Sequence, residues 1–128
     1  MEKEHILVVD DEEGLLHLVK MRLTAMGFDV TGCTTGREAI AAAKKDRFDL
    51  VVADLRLGSE DGLDVTEELL RIHPGLPVII LTAHGSIPNA VEAMQRGAFG
   101  YLTKPFDDKE LKAKIEEGLS PQRMRGEI

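Results

Sequence analysis

The chain has no tryptophan, one tyrosine and four phenylalanines in 128 residues, so aromatic side chains can fill little of its core. Hydrophobic residues nevertheless make up 43% of the sequence, which is ordinary for a globular domain. The core must therefore be built mainly from Val, Leu, Ile and Ala. A single cysteine, Cys33, excludes an internal disulfide. We interpret Cys33 as a small buried apolar side chain, and its isolation fits a reducing compartment.

Long apolar runs are also missing, since none approaches the roughly 20 residues that a membrane-spanning helix needs. The charged residues 1–5 do not have the pattern of a signal peptide. The 16 basic residues are outnumbered by 23 acidic ones, which gives a formal net charge of -7. Phosphate backbones and anionic lipids reward basic patches instead. We therefore expect a cytoplasmic domain that binds neither nucleic acid nor a membrane.

Short β-branched runs alternate with amphipathic stretches. Five runs predict strands, of which the second is more polar and suits an edge: residues 6–9, 28–33, 49–53, 77–81 and 99–102. Five stretches predict helices: residues 12–26, 35–45, 63–72, 86–96 and 107–119. This alternation predicts an α/β fold, with a five-stranded parallel sheet and helices on both faces.

The last residues of the chain, 120–128, are polar and have no core pattern. We therefore expect one domain over residues 1–119, followed by a linker or tail toward a possible output domain.

Chemically useful side chains follow four of the five predicted strands. They are Asp10 and Asp11 after the first strand, Asp54 after the third, Thr82 at the end of the fourth and Lys104 after the fifth. The carboxyl ends of parallel strands meet at one edge of a sheet, where ligands of open α/β folds bind. We therefore expect these five side chains to lie together. An Asp-Asp pair can also serve only as a helix cap, but the joint occurrence of all five groups favours a functional site.

Three carboxylates in one place repel each other unless a proton or a cation relieves the repulsion. Mg2+ prefers oxygen ligands and commonly combines one or two carboxylates with a phosphate. The sequence thus predicts a Mg2+ site at Asp10, Asp11 and Asp54, with the backbone carbonyl of Arg56 as a further ligand. A carboxylate such as Asp54 can also attack phosphorus and form an acyl phosphate.

Four motifs, taken together, resemble the receiver domain of bacterial two-component response regulators: VVDDEEG at 8–14, VVADLRL at 51–57 with DG at 61–62, ILTAHG at 80–85 and GYLTKPF at 100–106. The resemblance covers residues 4–119 and implies a flavodoxin-like sheet of order 2-1-3-4-5. The stretch at 82–106 is most similar to receivers of NtrC-type, sigma-54-dependent regulators. Those usually precede an ATPase module and a DNA-binding module, and the sequence shows neither a Gly-Lys-Ser/Thr phosphate loop nor a basic recognition helix.

The resemblance implies a role for each residue of the cluster. Asp54 matches the phosphorylation site, and Asp10 and Asp11 match the acidic pair that holds Mg2+. Thr82 matches the switch hydroxyl that bonds the phosphoryl oxygens. Lys104 matches the lysine that contacts the phosphate, and the family's usual cis bond to the next proline would help to aim it.

Further residues are implied to tune or transmit the signal. Tyr101 matches the switch aromatic, which changes its burial when the switch hydroxyl moves. Arg56, Ala83 and His84 are expected at the rim of the site, and the resemblance implies that Arg56 and His84 influence the phosphoryl lifetime. Receivers usually carry proline four residues after the acceptor, and here that residue is Gly58. We expect a more flexible loop over the site from this departure.

The implied activity is acceptance of a phosphoryl group from a sensor histidine kinase, with Mg2+, in a phosphorelay that controls transcription. The domain is expected to promote its own phosphotransfer and dephosphorylation without being an enzyme for an external substrate. A homodimer is expected through the face made by the fourth helix, fifth strand and fifth helix, or nearby.

Three alternatives remain open from the sequence. A pseudo-receiver would act only as a protein-interaction or dimerisation module, but would not need the whole acidic set with Thr82 and Lys104. A haloacid-dehalogenase-type phosphatase needs Asp-x-Asp after the first strand, whereas Asp10 and Asp11 are adjacent. A flavodoxin-like FMN binder needs a phosphate loop at that position, where the four acids at 10–13 would repel a phosphate.

Overall fold

The computed structural model describes residues 3–83 and 87–126, with only the backbone of Ile87 and Pro88. Within these residues, strands and helices alternate in the following order: β1 His5–Val9, α1 Glu13–Ala25, β2 Asp29–Cys33, α2 Gly36–Lys45, β3 Leu50–Asp54, β4 Arg56–Leu57, β5 Glu60–Asp61, α3 Gly62–Ile72, β6 Val78–Thr82, α4 Ile87–Gln95, β7 Gly100–Thr103 and α5 Asp108–Met124. None of the described helices has the length and apolar character needed to cross a membrane.

The five long strands form one parallel sheet in the order β2-β1-β3-β6-β7. Counted among the long strands this is 2-1-3-4-5, so the predicted flavodoxin-like α/β fold is confirmed. The partly exposed β2 lies at an edge, as its more polar sequence predicts. Strand order reverses between β1 and β3, so the carboxyl ends of these two strands border the crevice where such folds bind ligands.

The sheet buries one apolar cluster on each face, because side chains of β1, β3 and β6 alternate between the two sides. Leu7, Val51 and Ile80 pack under α2, α3 and α4, and Ile6 and Val52 pack under α1 and α5. Each fully buried side chain of this type stabilises the fold by about 1.5–3 kcal/mol. Aliphatic residues therefore form most of this core, as the scarcity of aromatic residues requires.

The last helix is longer than the sequence predicts. The expected end at Leu119 is wrong by five residues, since α5 continues through Pro121 to Met124. Two contacts to the body of the domain explain the extension. The buried Gln122 donates from Nε2 to the carbonyl of Asp49 at 2.9 Å, and Arg123 pairs with Glu4. These contacts are tertiary, so the polar sequence of the segment gave no sign of them.

The loop after Asp54 contains a small hairpin that the sequence did not predict. Arg56 and Leu57 pair antiparallel with Glu60 and Asp61, and Gly58 in the turn has φ +64°. Two-residue strands are too short to show either a continuous apolar run or an alternating pattern, the two signals that predict strands. The hairpin nevertheless matters for the site, because it fixes the path of the chain that follows Asp54.

Candidate functional site

The topology brings the predicted cluster together at the carboxyl edge of the sheet. Asp10, Asp11 and Asp54 each offer a carboxylate oxygen, and these oxygens lie within 4.8 Å of one another. Lys104 reaches the cluster from beyond β7, with Nζ 2.8 Å from Asp54 Oδ2 and 3.5 Å from Asp10 Oδ2. Thr82 ends the neighbouring strand β6, and its carbonyl accepts the Lys104 amide at 2.7 Å. All five side chains that the sequence singles out therefore come from adjoining strand ends.

A backbone amide orients each of the three carboxylates. The amide of Glu12 donates to Asp10 Oδ1 at 3.0 Å, and the amide of Arg56 donates to Asp54 Oδ1 at 3.1 Å. The amide of Gly58 donates to Asp11 Oδ2 at 2.9 Å. Helix α1 begins after Glu12, which is its cap residue, so neither Asp10 nor Asp11 is the N-cap of that helix.

The charges of the cluster are unbalanced, since one ammonium group faces three carboxylates. Burial raises the pKa of Asp10, and the Glu12 amide and Lys104 only partly oppose this. Burial by itself would lower the pKa of Lys104, but its hydrogen bond to Asp54 and the charges of Asp54 and Asp10 raise it. The ammonium form of Lys104 is therefore held firmly between two carboxylates.

The residues present fit a hard divalent cation. The donor set consists of carboxylate oxygens only, within the span given above, which suits Mg2+ and lacks the nitrogen and sulfur donors that zinc sites favour. The remaining negative charge beside Lys104 is the electrostatic reason for a cation here. The carbonyl of Arg56 stays a predicted additional ligand.

The surroundings of the cluster include the predicted switch and rim residues. Thr82 is buried, while Tyr101 on β7 is 41% exposed. Between them and α4 lies a cavity of about 10 Å³, which offers room for about one water molecule. Arg56 and Ala83 are exposed beside the site, whereas His84 lies outside the described residues. The Lys104–Pro105 peptide bond is cis, as the resemblance implied.

Comparison with known proteins identifies the family. A model of the response regulator receiver domain matches residues 6–116, which is most of the chain. This chain belongs to the response regulator receiver domain family. It is a receiver domain of two-component signalling, in a family in which phosphorylation and Mg2+ binding are general features. It is therefore not an enzyme that turns over an external substrate.

Individual relatives agree with this assignment. The transcriptional regulatory protein GlrR of Escherichia coli K12 is 46% identical over 115 residues, which is 90% of this chain and 26% of that protein. The transcriptional regulatory protein ZraR of the same strain is 37% identical over 115 residues, with the same coverage. This receiver domain thus spans about a quarter of the length of these curated regulators.

Solved receiver structures show the same fold. The receiver domain of NtrX from Brucella abortus is 36% identical, with a TM-score of 0.85 over 90% of this chain and 98% of that chain. A CheY-like receiver from Methanospirillum hungatei is 30% identical, with a TM-score of 0.91 over 97% of this chain and 99% of that chain. The similarity to GlrR, ZraR and NtrX confirms the predicted relation to receivers of NtrC-type regulators.

Sequence reasoning missed one part of the site, the contacts that hold the hairpin over it. Glu60 makes two of these contacts, since its carboxylate accepts the amides of Gly36 and Arg37 at 2.8 and 3.1 Å at the start of α2. A glutamate in a polar loop carries no sign of such a distant partner. In this loop the sequence singled out Arg56 and the departure from proline at Gly58, but neither indicates the contact of Glu60.

Proposed function

We propose that this receiver domain accepts a phosphoryl group on Asp54 from a sensor histidine kinase, with Mg2+ held by Asp10, Asp11, Asp54 and the carbonyl of Arg56. The observation that carries this proposal is the placement of Lys104 Nζ 2.8 Å from Asp54 inside a cluster of three carboxylates. A pseudo-receiver, which acts only by contact, gives no reason to keep an electrostatically costly cluster of this kind.

Of the two carboxylates that contact Lys104, the more accessible Asp54 is the better candidate for the acceptor. The side chain of Asp54 is 14% exposed and that of Asp10 is 1% exposed, although both contact Lys104. In the proposed step a carboxylate oxygen of Asp54 attacks phosphorus, the phosphorus–nitrogen bond to the kinase histidine breaks, and an acyl phosphate forms. Lys104 offsets the charge that gathers on the phosphoryl oxygens. When bound, Mg2+ would supply further positive charge to the same oxygens.

The conformational change that follows phosphorylation would be transmitted from Thr82 to α4. A phosphoryl group adds a charge of about -1.5 to -2 and would attract the Thr82 hydroxyl. The cavity behind Thr82 has room for about one water molecule, so inward rotation of Tyr101 would need space that Thr82 or α4 gives up. Among the α4 side chains that the structure describes, those of residues 89–95, Ala93 alone is buried, so these side chains would give up little apolar contact if the helix moved.

The wider role follows from the family and from the relatives' names. We propose a homodimer through the face of α4, β7 and α5, where Val91, Met94 and Tyr101 are exposed, and phosphorylation would shift this equilibrium. The output would be control of transcription by a longer cytoplasmic protein, to which the end of α5 would connect this domain. The domain would also promote loss of its own phosphoryl group and would not bind nucleic acid itself.

Intact-protein mass after incubation with acetyl phosphate and Mg2+ tests the acceptor. We expect an increase of about 80 Da, one phosphoryl group, and no increase for the matched variant Asp54→Asn. Labelling that survives in Asp54→Asn would refute the assignment of Asp54. A wild-type protein that takes no label from acetyl phosphate or from its kinase would favour the pseudo-receiver.

A second variant separates modification from signalling. Lys104→Ala is expected to accept the phosphoryl group on Asp54 while losing the change in dimer population that follows, because Lys104 links the phosphoryl oxygens to the strand beside Thr82. Sedimentation before and after phosphorylation measures this change. A Lys104→Ala protein that switches like the wild type would show that Lys104 has no such role.

A further inference from the structure

The three carboxylates of the site differ in how far along the sequence their orienting amide lies. Asp10 and Asp54 accept the amides of Glu12 and Arg56, each two residues further along the chain. Asp11 accepts the amide of Gly58, 47 residues away. The first two carboxylates are therefore positioned by their own turns, and the third depends on a tertiary contact with the hairpin after Asp54.

We propose that Gly58 is a positioning residue for the metal site, because its amide holds the exposed Asp11 carboxylate toward Asp10 and Asp54. This inference rests on the proposed Mg2+ site. Within the described part of the chain, no other hydrogen bond holds the Asp11 side chain. A carboxylate has several lone pairs, so Asp11 can accept this amide and still offer an oxygen to a cation. An oriented ligand also loses less conformational freedom on binding.

Two properties of position 58 make the contact possible. The backbone has φ +64°, a left-handed conformation that glycine adopts without strain and asparagine tolerates. The amide must also carry a hydrogen, which proline lacks, and proline would fix φ near about -65°. Space is not the restriction, since a Cβ at Gly58 would lie 3.9 Å from Asp11 Oδ2, an ordinary contact. The contact therefore requires glycine or a residue like asparagine, and excludes the proline usual in receivers.

The hairpin is anchored on its far side, which keeps the Gly58 amide in place. The Glu60 carboxylate accepts two amides at the N-terminus of α2, where the helix dipole favours a negative charge. The Gly62 amide donates to the Leu55 carbonyl at 2.7 Å and closes the base of the hairpin. The position of Gly58 is thus determined by contacts on both sides of the turn.

Calorimetric titration of the unphosphorylated protein with Mg2+ tests the proposal without any measurement of activity. Gly58→Asn keeps the donor and the backbone conformation, so we expect its dissociation constant to stay within about twofold of wild type. Gly58→Pro removes both, and we expect binding about tenfold weaker, which corresponds to about 1.4 kcal/mol. Equal affinities of the wild type and Gly58→Pro would overturn the proposal.

A double-mutant comparison shows whether Gly58 acts through Asp11. In an Asp11→Ala background, Gly58→Pro is expected to change the dissociation constant less than about twofold, because the partner is gone. An undiminished tenfold effect in that background would contradict the proposal. If Asp11→Ala binds Mg2+ as tightly as wild type, the proposed metal site itself fails. That outcome differs from equal affinities of the wild type and Gly58→Pro, which would refute the role of Gly58 but not the metal site.

Hydrogen exchange at the Gly58 amide provides a test that does not depend on whether Gly58→Pro folds. In the wild type this amide is bonded to Asp11, so its exchange, measured by NMR, should be slow for an exposed turn. We expect at least roughly fivefold faster exchange in Asp11→Ala, since the acceptor is lost. Equal exchange in the two proteins would overturn the proposed contact.

Discussion

Asp10→Asn is expected to raise the stability of this receiver domain in the absence of divalent cations. Asp10 is 1% exposed, and burial raises its pKa, so the folded state holds its charged form at a cost. Asparagine has nearly the same shape and can still accept the Glu12 amide. The substitution therefore removes the charge and keeps the hydrogen bond from the Glu12 amide, while the 3.5 Å contact of Oδ2 with Lys104 is lost.

The magnitude follows from the distances in the cluster. With an effective dielectric constant of about 20, the attraction between Asp10 and Lys104 Nζ at 3.5 Å is about 5 kcal/mol. Each of the other two carboxylates, at 4.8 Å or less, repels Asp10 by about 3 kcal/mol or more on the same scale. The repulsions slightly exceed the attraction, and desolvation adds to the cost. We expect Asp10→Asn to increase the free energy of unfolding by about 1–3 kcal/mol near neutral pH.

The pH dependence of this difference has a definite sign. Because the folded pKa of Asp10 is raised above 3.8, the folded state binds its proton more tightly than the unfolded chain does. The contribution of Asp10 to stability is therefore complete below the unfolded pKa and is lost as pH rises through the folded pKa. The advantage of Asp10→Asn should shrink as pH falls toward 3.8.

Urea unfolding followed by circular dichroism, with EDTA and then with Mg2+, measures both effects. At a Mg2+ concentration about 100 times its dissociation constant, the wild type should gain about 2.7 kcal/mol. Asp10→Asn lacks one ligand and should gain less. The difference in free energy of unfolding between the variant and the wild type should therefore become smaller in Mg2+, or change sign. A variant that is no more stable than wild type in EDTA, or that gains as much from Mg2+, would refute this reasoning.

Two further predictions concern the stability of the domain, one at Gly62 beside Asp54 and one at the last turn of α5. Gly62→Ala should lower the free energy of unfolding by about 1–3 kcal/mol, because a Cβ there would lie 2.2 Å from the Asp54 carbonyl oxygen. Its matched control, Gly14→Ala in α1, meets nothing within 4 Å and should raise stability by about 0.5–1 kcal/mol. Equal effects of the two would contradict the steric argument, and chemical denaturation measures both. Truncation after Leu119 removes the hydrogen bond and ion pair of the last turn of α5, and should lower the melting temperature by several degrees for about 1 kcal/mol lost. A truncated protein that melts with the full chain would show that this turn adds nothing.

Much of the fold could be predicted because its signals are local. The strands β1, β3 and β6 are visible as short continuous apolar runs, and the helices between them as apolar positions repeating about every 3.6 residues. Once the sheet is parallel, the strand ends share one edge. The sequence alone therefore predicted that Asp10, Asp54 and Thr82 lie together, and the structure agrees. Their chemical roles remain predictions, as does the role of His84.

The sequence by itself thus determined the order of the five long strands and the five helices, the acidic edge of the sheet and the family. Tertiary structure decided how the site is held. The Gly58 amide donates to Asp11 across 47 residues, and Glu60 accepts the first amide of α2 across 24. Gln122 at the end of α5 donates to the carbonyl of Asp49 across 73. None of these contacts produces a periodic pattern in the sequence. Each depends on where the backbone places a single donor or acceptor. Such contacts are invisible until packing has brought distant segments within hydrogen-bond distance.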